Sequence, residues 1–86
     1  MEDKLFGLIS QIVKKCYVIG TQRNIYLTFE LTPQWNDYEI HYYKGGILET
    51  KNMVFIDNSA HFDVQHAKAT IKKLDKLAIK LGIKDV

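Results

Sequence analysis

The apolar residues of this chain change their period twice, and that pattern constrains its fold more than any feature of composition. Leu5, Leu8, Ile9, Ile12, Val13 and Cys16 fall at i, i+3, i+4, i+7, i+8 and i+11, the stripe of an amphipathic helix. Glu2 and Asp3 precede it and Lys14 and Lys15 close it, both placements suiting the helix dipole. The spacing predicts a first helix over about residues 3–15. The period then drops to two. Ile25, Leu27, Phe29 and Leu31 point one way and Tyr26, Thr28 and Glu30 the other, the alternation of a half-buried antiparallel strand that Pro33 stops. The helical period returns with Val64, Ala67, Ile71, Leu74, Ala78 and Leu81, at alternating steps of three and four. This second helix is expected over about 63–81, with Asp63 as N-cap, Ser59 as the rival cap and Gly82 as the residue just past its end.

The segments between are read from their turn residues. Tyr17-Val18-Ile19-Gly20 reads as a short extended stretch entering a turn at residues 21–24, and Thr32 to Asp37 as a loop. A second strand is expected over Tyr38–Tyr43, a tight hairpin at Lys44-Gly45-Gly46, and a third strand from about Ile47 to Ile56, interrupted near Lys51-Asn52. Asp57-Asn58-Ser59 reads as the next turn. The order is α-β-β-β-α. Each helix has one apolar stripe to bury, so the expected fold is a two-layer α+β sandwich. It is a single domain over residues 1–86, an antiparallel three- or four-stranded sheet with two helices on one face.

That succession resembles the double-stranded-RNA-binding domain, and the resemblance is one of topology. The family's lysine cluster opens its second helix, whereas Lys72-Lys73-Leu74-Asp75-Lys76 lies in mid-helix here. The turn Asn58-Ser59-Ala60-His61 carries no lysine or glycine, and the family's glycine-proline-histidine segment is absent. The resemblance therefore implies an order of elements and no function.

Composition excludes several classes. The chain is 47% hydrophobic and 26% charged, which is globular rather than disordered. No apolar run reaches the ~18 residues of a membrane span, and the acidic N-terminus is unlike a secretory leader. Cys16 stands alone, so no internal disulfide can form, and a cytoplasmic location is expected. The wealth of Lys, Ile and Asn beside a single Arg points to an AT-rich genome, such as a low-GC bacterium, its phage or a mobile element. No phosphate loop, dinucleotide fingerprint or serine elbow is present, so no enzyme activity, cofactor or small-molecule substrate is expected. His61, Asp63 and His66 are close in sequence. On a helix the two histidines would diverge by roughly 140°, which argues against a metal site and makes His66 an ordinary residue of a helix N-terminus. Cys16 ends an apolar stripe and reads as a small hydrophobe.

Two surface features remain. Lys68, Lys72, Lys76 and Lys80, spaced by four with Lys73 beside them, form a basic flank on the second helix. Residues 64–86 hold six lysines against Asp75 and Asp85, a net +4. Such a row suits phosphates or an acidic protein, although the lone Arg23 speaks against base-specific readout. The second is aromatic. If Ile40 faces inward, the outer sheet surface carries Tyr26, Thr28, Glu30, Glu39, His41 and Tyr43, and Trp35 sits in a loop as either a tucked residue or an exposed anchor. With both helices on the other side this surface is bare, which suits a protein interface. The leading expectation is a small non-enzymatic binding protein, a phage- or mobile-element-type regulator or inhibitor acting on another protein through Tyr26, His41, Tyr43 and Trp35. A nucleic-acid module using the lysine row, and a self-associating structural protein such as a homodimer, are the alternatives.

Overall fold

The computed structural model describes residues 3–22, 25–59 and 62–84. Helix α1 (Asp3–Gly20) is followed by strands β1 (Tyr26–Thr32), β2 (Asp37–Tyr43) and β3 (Met53–Ser59) and then by helix α2 (Val64–Lys80). The three strands form one antiparallel sheet in the order β1-β2-β3. Both helices lie on one face of it: α1 packs on β1 and α2, and α2 packs on β3. This is the expected α+β order, with three strands rather than four. No helix among the described residues is long and apolar enough to cross a membrane.

The core lies between the layers. Ile12, Ile19, Ile40, Thr70 and Leu74 are sealed from solvent, with Leu5, Ile9, Cys16, Tyr38, Tyr42, Phe62, Ala67, Leu77 and Ala78 around them. A salt bridge of 2.7 Å between Lys15 of α1 and Asp75 of α2 ties the helices together. At the end of α2, Gly82 takes φ 72° and donates to the Ile79 carbonyl, while Ile83 donates to the Ala78 carbonyl. This paired closure needs a residue free to be left-handed, which glycine provides. Asp63 caps the start, its side chain accepting from the His66 amide at 2.8 Å.

Three expectations are corrected. Residues 17–20 are helical rather than extended, because Ile19 carries the buried stripe on by one turn from Cys16. Residues 47–50 are not strand. Gly45 and Gly46 do adopt positive φ, but Glu49 donates to the Ile47 carbonyl and Asn52 to that of Glu49, so the chain closes two local turns and leaves Ile47 and Leu48 exposed. Asp57 and Asn58 are strand rather than turn. Between β2 and β3 the register slips: His41 pairs with Phe55 but Ile40 pairs with Asp57, leaving Ile56 as the extra residue of a bulge. Simple alternation would put Asp57 beside Phe55 on the outer face; the extra residue turns it inward toward α2.

Candidate functional site

The uncovered face of the sheet carries an aromatic band built across all three strands. Ile40 faces the core, so its neighbours on β2, Glu39 and His41, face outward, and Tyr43 follows at the next alternate position. Pairing brings Thr28 opposite His41 and Tyr26 opposite Tyr43 from one side, and Phe55 opposite His41 and Met53 opposite Tyr43 from the other. The rings meet. Tyr26 and Tyr43 are edge-to-face at 6.0 Å, His41 and Tyr43 at 5.6 Å, and His41 and Phe55 lie 5.7 Å apart. Tyr26 and Phe55, at the flanks, are 47% and 53% exposed. His41, at the centre, is only 9% exposed although no helix covers it, because its own neighbours enclose it. The Thr28 hydroxyl sits 3.0 Å from His41 Nε2, and a Glu39 carboxylate oxygen 3.7 Å from Nδ1. A proton on Nδ1 facing Glu39, with Nε2 accepting from Thr28, satisfies both neighbours. The band is thus held in place before any partner arrives, which lowers the entropy cost of docking.

Of the residues singled out from sequence, Tyr26, His41 and Tyr43 come together and Trp35 does not. Trp35 is exposed in a short 3-10 turn, Pro33–Trp35, at the far end of the β1–β2 hairpin. Six residue steps separate that end from the Tyr26–Tyr43 pair, about 20 Å along the strands. Phe55 and Met53 were missed. The run Met53-Val54-Phe55-Ile56 is apolar throughout and shows no alternation to assign faces.

The lysine row is also as spaced. Lys68, Lys72, Lys76 and Lys80 are exposed, and none has an ion-pair partner among the described residues. Asp75, the acid nearest the row, is engaged with Lys15 instead. Lys73 departs from the row, its ammonium lying 3.6 Å from the Asp57 carboxylate.

Beneath the sheet lies a polar cluster that the sequence did not disclose. Asp57, 5% exposed, accepts from the Thr70 hydroxyl at 2.5 Å, and its other oxygen lies 3.0 Å from His66 Nε2. The Tyr38 hydroxyl bonds in turn to Thr70. Burial pushes the Asp57 carboxyl up, but the Thr70 hydrogen bond, His66 and Lys73 together outweigh it and hold it below the usual value. Burial pushes the Tyr38 phenol up to about 12, so it stays protonated and serves as a donor. His66, read from sequence as a plain helix-start residue, therefore joins α2 to β3. Cys16 is buried, and burial raises its thiol to about 12, so no thiolate is offered at neutral pH. His61 lies outside the described residues, and among those described no three metal-ligating side chains converge. Comparison with protein-family models, with curated proteins and with solved structures finds no match to this chain.

Proposed function

We propose that this chain is a non-enzymatic binding protein that docks another protein on its open sheet face. The observation that carries the reading is the Tyr26–Tyr43–His41–Phe55 band, packed ring against ring on the one sheet face the helices leave bare. Rigid aromatics bury much area at low entropy cost and dominate interfaces when they do so. The partner would be held by occlusion, with Trp35 free to reach it only if its footprint spans the length of the hairpin. A cytosolic regulator or inhibitor of phage or mobile-element type fits the lysine- and isoleucine-rich composition. The double substitution Tyr26→Ala/Tyr43→Ala is expected to weaken capture of the partner from lysate of the source cells at least tenfold. Circular dichroism should be unchanged, since Tyr26 is half exposed. Equal capture by a folded double variant would sink the proposal.

A second reading is favoured by the unpaired lysines of α2. If the row contacts phosphates, Lys72→Gln/Lys76→Gln lowers the slope of log K against log salt by about two units for any duplex or single strand, measured by fluorescence anisotropy. An unchanged slope, or no binding at low salt, removes that reading.

A further inference from the structure

A cleft of about 270 Å³ opens at the end of the sandwich where β2 runs out beneath the end of α2, on the helix side of the sheet. Ile25, Tyr42, Lys44, Gly45, Lys80 and Leu81 line it. At ~30 Å³ per water molecule it holds about nine waters, the size of a fragment rather than of a nucleotide or a peptide.

Three observations give the cleft a chemical preference. Half of its lining is apolar, from Ile25, the Tyr42 ring and Leu81, and Ile25 and Tyr42 belong to the core packing. Its lining includes two exposed lysines, Lys44 and Lys80, which have no ion-pair partner among the described residues, and it contains no carboxylate. Tyr42 lines the same cleft and is only 6% exposed. Its hydroxyl makes no hydrogen bond among the described residues, and it is not sealed from solvent either. A residue this buried, lining a cleft with its polar atom unpartnered and still reachable, is a donor waiting for an acceptor.

The end of a helix ordinarily repels an anion, because its last carbonyls carry partial negative charge. Here the carbonyls of Leu77, Ala78 and Ile79 accept from the amides of Leu81, Ile83 and Gly82, so that objection is weakened where it would matter most.

We propose that this cleft binds a small organic anion, a flat apolar body bearing one carboxylate or phosphate. The body lies on Ile25, Tyr42 and Leu81, and the head group takes charge-assisted hydrogen bonds from Lys44 and Lys80 and a third bond from the Tyr42 hydroxyl. The site is independent of the aromatic band, which lies on the opposite face of the sheet.

The test is a titration of the full chain with benzoate and phenyl phosphate, followed by amide chemical shifts in ¹H–¹⁵N spectra. Benzyl alcohol supplies the ring without charge, and inorganic phosphate the charge without a ring. Saturable shifts centred on Ile25, Gly45 and Leu81 are expected for benzoate or phenyl phosphate, with Kd roughly 1 mM for a ligand this small. Whichever of the two binds more tightly identifies the preferred head group. Lys44→Ala and Lys80→Ala, both at exposed positions, should each weaken binding about tenfold, and Tyr42→Phe, which keeps the core ring, several-fold. Benzyl alcohol or inorganic phosphate binding as tightly as the aromatic anions would overturn the proposal. So would saturable binding that Lys44→Ala and Lys80→Ala leave unchanged, or the absence of saturable shifts at the cleft.

Discussion

Asp57→Ala is expected to lower the free energy of unfolding by about 3 kcal/mol at neutral pH, at the low end of the cost of breaking a buried charge pair. Part of the loss falls on Thr70, whose sealed hydroxyl exchanges its short bond to the carboxylate for the weaker one to the His66 carbonyl at 3.1 Å, while Tyr38 stays bonded to it. Lys73 and His66 are partly solvated and recover some of their loss from water. The pH dependence follows from the direction of the carboxyl shift. Asp57 is held below its unfolded value of 3.8, so its ionic contribution is complete above that pH and fades as the pH falls toward the lower folded value. Urea melts of wild type and Asp57→Ala should therefore show their widest gap near pH 7 and a narrower one at about pH 2.5. A gap that stays constant would mean that the carboxylate acts by shape alone.

Leu74→Ala should cost about as much for a different reason. Leu74 is sealed between the layers with Ile12 and Ile40, and a cavity among such apolar side chains stays dry. Removal of three buried carbons costs roughly 2–5 kcal/mol, depending on how far the neighbours collapse. A domain of 86 residues has only ~4–13 kcal/mol to lose. A fall in Tm of about 15 °C or more by calorimetry is the expected result. Ile79, five residues further along the same helix, is 79% exposed, and its alanine variant should melt close to wild type. A Leu74→Ala variant that melts like the Ile79 one would contradict the helix orientation described above.

The contrast between these two sites shows what a sequence can disclose. Leu74 was visible because helical burial repeats every three or four residues, and its neighbours on the stripe announce it. The same holds for Tyr26, His41 and Tyr43, whose face follows from alternation once Ile40 is placed inward. Asp57 was invisible for two reasons. Its Asp-Asn-Ser context has the composition of a turn, and its inward direction depends on one extra residue, Ile56, which no periodicity marks. His66 and Lys73 were hidden with it: each looked like a helix surface residue until the carboxylate they serve was in position. Phe55 was hidden for another reason, because its neighbours Val54 and Ile56 are as apolar as it is and leave no alternation to assign its face. The loop over residues 44–52 was overread because Ile47 and Leu48 are strand-forming types, and only the backbone bonds around Glu49 show that they curl away.

The order of the elements also bears on how the chain is made. The two helices that close the core on each other are the first and the last of its elements, joined by Lys15 and Asp75. During synthesis α1 leaves the ribosome with its buried stripe exposed, and its helical partner is complete only sixty residues later, counting from Gly20 to Lys80. At roughly 5–20 residues per second that interval lasts about 3–12 s. For that time the part of the stripe that α2 will cover is a sticky surface on a nascent chain, and a chaperone has its best opportunity to hold this protein before α2 emerges.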